Sequence, residues 1–290
     1  MLKLQVRFSM LNKIAFLILC CFFSLNAEEP PHIYLKTPNF SQENITGLNV
    51  GIRPVRKYGV RIEMESIQNK LIIHNYGYGG SGLTLSFGGS KEVLEILNNQ
   101  NAISKTVAIL GGGVIGLTTA YDLLEQGYDV HIYADNWSPN LTSNVAAGIW
   151  SPLWLPEGTP EEQKILNQRM LEASEQRFLM STGEQPEFAG VRFIDSYSFK
   201  SDSLQEAIKT KHRGEDVVVY FDNGVIKKGK RISELSIDGK LFMEDLFSKV
   251  KSKGARLKER HFGNLDDVCF WQSKIESSWQ LKLRVVAIKN

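Results

Sequence analysis

Apolar residues along this chain recur with three different periods, and each period predicts a different element. Val60, Ile62 and Met64 alternate with Arg61, Glu63 and Glu65, the two-residue period of a half-buried strand. A turn around Gln68 to Lys70 leads into LIIHNYG, a second strand. In SKEVLEILNN, Ser90 to Asn99, the residues Val93, Ile96 and Leu97 stand at helical spacing, with Ser90 as the N-cap. A continuous apolar run, TVAIL at 106–110, enters the glycines GGGVIG, Gly111 to Gly116. Leu117, Tyr121 and Leu124 then share one face of a helix that stops at Gly127. YDVHIYAD, Tyr128 to Asp135, is another apolar strand. Strand, glycine turn, helix and strand within about 30 residues make a βαβ unit, the smallest piece of a parallel sheet.

Farther along, Thr159, Pro160 and Glu162 form a capping box with proline at the first helical position, opening a helix to about Met180. Residues 188–235 alternate around turn signals such as DNG and predict antiparallel strands. GKLFMEDLFSKVKSKG is a helix stopped by Gly254, and ARLKERHF is a strand. The tail from Asp266 to Asn290 has no clear period.

Composition narrows the function classes. The chain has 290 residues, 42% hydrophobic and 23% charged, enough for a sizeable core in one or two domains. Its formal charge is +2, and no stretch interleaves basic with aromatic residues, so no nucleic-acid surface is expected. Scattered basic residues, the apolar run IAFLILCCFF and then SLNAEEPP give residues 1–27 the order of a secretory signal cleaved after Ala27. The run is too short to span a bilayer, where about 20 residues are needed. A misassigned start codon and a lipid anchor on Cys20 are the alternatives. A used signal places the protein in a periplasm or outside the cell; otherwise it is cytoplasmic. No stable membrane span is expected after signal removal. Cys20 and Cys21 lie within this segment, which leaves Cys269 alone and no disulfide framework or catalytic thiol. His32, His74, His131, His212 and His261 include no pair at metal-ligand spacing, so no metal site is expected.

Gly111, Gly113 and Gly116 satisfy G-x-G-x-x-G, supplying a tight turn, a close backbone approach to a pyrophosphate and close packing of helix on strand. Val114 and Ile115 open a helix whose free amides and dipole favour a diphosphate. Asp135 stands 24 residues after Gly111 at the end of the next strand, where a carboxylate accepts from a ribose hydroxyl. These features leave flavin and nicotinamide both open, and a tight turn with no ligand is the bland alternative. An earlier run, HNYGYGGSGLT from His74 to Thr84, carries four more glycines. Taken alone, it could be a flexible loop, with His74 a satisfied histidine, Tyr76 and Tyr78 core residues, and Arg53 an ordinary surface arginine.

The order VAILGGGVIGLTTAYDLL, YAD and VAAGIW resembles the amino-terminal part of the D-amino-acid oxidase family, whose members use FAD. GIRPVR, VRIE and HNYGYGGSGLT resemble its carboxy-terminal part, so the two pieces stand in swapped order and the chain is read as circularly permuted. The resemblance implies that Gly111, Gly113 and Gly116, with Val114 and Ile115, hold the diphosphate of FAD and Asp135 its adenosine ribose. It implies that Thr142 and Ser143 bond the phosphate or ribityl region and that Ala146, Ala147 and Gly148 press on the isoalloxazine ring. Gly79, Gly80, Ser81, Gly82, Leu83 and Thr84 would close over the other side of the flavin, and Arg53 would grip a substrate carboxylate. The implied reaction is oxidation of a D-amino acid by hydride transfer to FAD, with oxygen as final acceptor and no side-chain acid or base in the hydride step. A non-catalytic flavin- or nucleotide-binding relic is the alternative.

The expected fold is α/β, a Rossmann-like FAD-binding parallel sheet with an incomplete, mostly antiparallel substrate domain. The expected parts are the signal at 1–27, an extended lead-in at 28–46, the permuted segment at 47–99 and a linker at 100–105. The βαβ unit follows at 106–158, substrate-domain helices and strands at 159–236, the return to the FAD domain at 237–268 and an unmatched tail at 269–290. The missing family motif after residue 268 favours a frameshifted or fragmentary continuation over a compact variant.

Overall fold

The computed structural model describes residues 29–67, 70–99, 105–150, 155, 157–199, 214–279 and 284–287. The expected signal at 1–27 and residues 100–104 of the expected linker lie outside them. Residues 1–44 with 195–233 form one unit, and residues 45–194 with 234–290 form the other.

In the smaller unit, β1 (His32–Leu35) pairs in parallel with β7 (Glu215–Phe221), which pairs antiparallel with β8 (Ile226–Ile237). β6 (Val191–Ser198) closes the sheet order β1-β7-β8-β6. The lead-in at 28–46 is therefore not only a connector. Thr37 completes its attachment, donating from its backbone N and its hydroxyl to Asp222 Oδ1 at 2.8 and 2.5 Å.

The larger unit is built on a sheet of order β2-β3-β10-β4-β5-β9. Its strands are β2 (Arg61–Ile67), β3 (Lys70–Tyr76), β4 (Thr106–Leu110), β5 (Asp129–Ala134), β9 (Arg256–Glu259) and β10 (Arg284–Ala287). All neighbours run parallel except β2 and β3. Val107, Ala108, Ile109, Val130 and Ile132 are fully buried, as both-face burial of a parallel sheet demands. Five helices accompany the strands among the described residues: α1 (Gly82–Asn98), α2 (Val114–Glu125), α3 (Glu161–Leu179), α4 (Gly239–Ser252) and α5 (Leu265–Trp279). Helices α1 to α4 share one core with Ile73, Val107, Ile109 and Ile132, whereas Val268, Cys269 and Trp271 of α5 pack with Ile72, Ala108 and Tyr133. These clusters alternate along the strands, so α5 covers the opposite face of the sheet. No helix among the described residues is long and apolar enough to cross a membrane.

Several expectations are corrected. The helix expected from Ser90 begins eight residues earlier, at Gly82, and Ser90 lies inside it, its Oγ donating to Thr118 O at 3.4 Å. The added turns include Gly88 and Gly89, although glycine is a poor helix former. Here they are needed, because a Cβ at Gly88 would overlap the Met170 backbone and one at Gly89 the Tyr78 hydroxyl. Pro160 is the N-cap of α3 rather than its first residue, with φ −55° and ψ 145°, and no side chain caps the helix. α3 belongs to the larger unit. Its Phe178 joins Phe87, Phe188 and Phe242 in a cluster with ring centroids 5.1–6.3 Å apart. The tail that showed no period forms α5 and β10, and β10 lies between β3 and β4.

Candidate functional site

The glycine turn forms where β4 ends. Gly111 has φ +126°, a left-handed conformation that disfavours side chains, and its N donates to Tyr133 O at 2.8 Å. Gly113 is the N-cap of α2 and no side chain of its own caps the helix. Val114 N donates to Ser143 Oγ at 3.1 Å, so two of the expected cofactor contacts meet. A Cβ on Gly112 would stand 3.0 Å from Trp137 Cε3 and 3.1 Å from Asn136 O, a tight fit for any side chain. Ile115 and Gly116 lie buried in the first turn of α2.

Asp135 follows the last residue of β5. Its carboxylate pairs with His261 Nδ1 at 2.9 Å, and Arg260 N, just past β9, donates to Ala134 O at 3.0 Å. A cavity of about 540 Å³ opens here. It is lined by Gly111, Gly112, Asp135 and Asn136, by the apolar Leu141, Phe262 and Val268, and by His74 and Tyr76 of β3. It follows the carboxyl ends of the parallel strands, the edge where open α/β sheets bind ligands. Its volume lies within the range of small-molecule sites, roughly 300–1,000 Å³. Backbone donors at a helix start, a carboxylate one strand away and apolar walls between them suit a dinucleotide.

The second glycine run approaches from the side. Gly77, Gly79 and Gly80 all have positive φ. Gly79 N donates to Pro54 O at 3.1 Å, and Val55 bridges Tyr78. Arg53 is exposed and lies along Gly80, whose Cβ would stand 3.0 Å from Arg53 Cδ. Ser81 is the N-cap of α1, and Leu83 and Thr84 are buried in its first turn. A Cβ on Gly82 would meet Val114 Cγ1 at 3.6 Å, and Asn75 Nδ2 donates to Thr119 Oγ1 at 3.3 Å. The two separated glycine segments are therefore in contact. Gly79 to Thr84 and Arg53 nevertheless do not line the cavity.

Residues Thr142–Val145 form a single 3-10 turn packed on Gly51, whose Cβ would meet Thr142 Cγ2 at 3.0 Å. Gly148 has φ +69°, and its carbonyl accepts from Ile237 N at 2.7 Å. Ala147 is exposed, whereas Ala146 and Gly148 are half-buried against the start of α4 and the end of β8; none of the three lines the cavity.

His74, Tyr76, Leu141 and, from the loop after β9, Arg260 and residues 262–265 line the cavity without having been expected there. Only the position of the loop, directly after a parallel strand, was a usable signal. His74 is buried, with Nε2 2.8 Å from Glu65 Oε2, and Arg61 donates to the same carboxylate oxygen at 2.9 Å. Burial lowers the pKa of His74, and the hydrogen bond from His74 lowers that of Glu65.

Residues 106–261 match the family described as FAD dependent oxidoreductase, DAO. A D-amino-acid oxidase of Dictyostelium discoideum is 39% identical over 66 residues, 21% of this chain and 19% of that protein. A D-amino acid oxidase of Dugesia ryukyuensis is 47% identical over 62 residues, 19% of this chain and 18% of that protein. The chain thus aligns with less than a fifth of the length of these curated relatives. Among solved structures, the glycine oxidase from Bacillus cereus overlaps 53% of this chain and 46% of its own, with 18% identity and a TM-score of 0.34.

Proposed function

Since this chain belongs to the FAD dependent oxidoreductase family and FAD is its cofactor, we propose that it oxidises a D-amino acid to the imino acid, which water hydrolyses to the 2-oxo acid and ammonia, and reduces oxygen to hydrogen peroxide. The chemistry FAD supplies when bound is acceptance of a hydride from the substrate Cα and delivery of its electrons to oxygen.

The chain's own groups bind and orient. The amides of Gly112 and Gly113 receive the diphosphate, Gly111 N and Val114 N being bonded already to Tyr133 O and Ser143 Oγ, and Asp135 accepts from the ribose. Arg53 offers a guanidinium fork suited to a two-point grip on the substrate carboxylate; it has no ion-pair partner among the described residues and rests on Gly80. The proposal includes a circular permutation. Its support is that β3 and β4 run parallel on either side of β10 and that α1 packs on α2, so a reversed chain order is compatible with those contacts. The observation that carries the reading is the single cavity shared by the glycine turn, Asp135 and the end of β3.

A second reading is a protein that binds flavin without turning over substrate. It is favoured by the surroundings of Arg53, where Leu48, Val50 and Ile52 are 83–92% exposed. One experiment separates the two: the visible flavin band of the purified full-length chain is followed under anaerobic D-alanine, D-aspartate or glycine. Bleaching by a D-amino acid supports the oxidase, and bleaching by glycine alone moves the substrate assignment. A bound flavin that no substrate bleaches leaves the binding protein, and a chain that neither retains nor takes up FAD ends both readings.

A further inference from the structure

The cavity has a far end that the glycine turn and Asp135 do not use. From β5 to β3 it crosses three strand spacings, through β4 and β10, or roughly 14 Å. With the diphosphate at Gly111 and a ribose at Asp135, the other half of the dinucleotide extends toward β3, where His74 and Tyr76 form the wall.

His74 is 1% exposed, and its two ring nitrogens have different surroundings. Nε2 lies 2.8 Å from Glu65 Oε2, whereas Nδ1 is buried with no hydrogen-bond partner among the described residues. Arg61 donates to the same Glu65 oxygen, which holds that carboxylate in its ionised, acceptor-only form. Nε2 must then carry the hydrogen. In a neutral imidazole this leaves Nδ1 as a bare lone pair, an acceptor and not a donor. A buried acceptor without a partner is costly, and His74 is one of the residues that line the cavity.

We propose that His74 is a ligand-contacting residue of the FAD site, its Nδ1 accepting a hydrogen bond from an O–H or N–H group on the half of the dinucleotide beyond the diphosphate. The assignment rests on FAD occupying this cavity. Glu65 and Arg61 are its positioning residues: they set the tautomer and touch no ligand. Tyr76, its ring centroid 5.6 Å away in an edge-on contact, holds the imidazole plane.

The test uses the full-length wild-type chain labelled with nitrogen-15 at histidine, with long-range proton–nitrogen spectra recorded alone, with ADP and with FAD. Without ligand, His74 should show the Nε2–H tautomer, with Nδ1 resonating as a free acceptor. FAD should move the Nδ1 resonance upfield, and ADP should not. In parallel, His74→Phe should weaken FAD about tenfold and leave ADP unchanged. FAD that binds without moving Nδ1 overturns the proposal, as does an Nδ1–H tautomer in the free protein. Equal effects of ADP and FAD overturn the placement beyond the diphosphate. Absence of FAD binding to the wild type removes the cofactor reading itself. The spectra need only the wild type, so misfolding of the variant does not spare the proposal.

Discussion

A Cβ on Gly88 would overlap the backbone carbonyl of Met170, so α1 and α3 cross at a point that admits no side chain. Gly88 N also donates to Ser174 Oγ at 2.7 Å across the same crossing. Gly88→Ala should therefore cost about 1–3 kcal/mol through overpacking, although alanine is the better helix former. Gly47→Ala meets nothing within 4 Å and should stay within about 0.5 kcal/mol of the parent. Urea midpoints of the two variants measure the difference.

Tyr78 is buried and donates to Asn75 Oδ1 at 2.6 Å, while Asn75 Nδ2 reaches Thr119. Tyr78→Phe strands that oxygen where water does not reach, so a loss of about 1–2 kcal/mol is expected. Thermal unfolding monitored by circular dichroism gives the value.

Asp122 has the clearest pH signature. Burial pushes its pKa up from 3.8 to about 6, with Ser90 and Arg177 acting in the other direction. Between those values the folded chain holds a proton that the unfolded chain releases. Stability attributable to Asp122 is therefore fully present below about 3.8, falls as pH rises, and levels off above about 6, for a total on the order of 3 kcal/mol. Asp122→Asn cannot ionise, so its stability relative to the parent should rise between about pH 4 and pH 7. Urea denaturation across that range checks the sign.

Asp135 is expected to hold a ribose, yet in the free protein it faces His261. Asp135→Ala should weaken FAD about tenfold. His261→Ala removes a competitor for the same carboxylate and should not weaken FAD. Quenching of flavin fluorescence on titration distinguishes the two.

Arg53→Ala should leave FAD affinity unchanged and weaken the apparent substrate affinity in anaerobic reduction about a hundredfold. Arg53→Lys should be intermediate, because an ammonium keeps the charge without the fork.

The parallel strands, the glycine turn and Asp135 were legible because each depends on a local pattern: continuous apolar runs, glycine spacing and a strand end. The start of α1 was not, since Gly88 and Gly89 are explained only by Met170 and Tyr78 from elsewhere in the chain. His74 looked like an ordinary core histidine, and by burial it is one. Its remaining nitrogen and its place on the cavity wall arise from β2 and from sheet order, neither of which sequence spacing reports. Arg53 depended on family likeness throughout, and its contact with Gly80 comes from a loop without regular structure.

The position of β10 governs assembly. Residues Arg284–Ala287 supply the backbone partners for Ile72 to His74 on one side and for Val107 to Leu110 on the other. A nascent chain can pair β2 with β3, and β4 with β5, well before this strand leaves the ribosome, but it cannot join the two groups. Until then each carries an unsatisfied inner border, the kind of surface that recruits foreign strands. Maturation of the whole nucleotide-side sheet thus waits for the four residues of Arg284–Ala287.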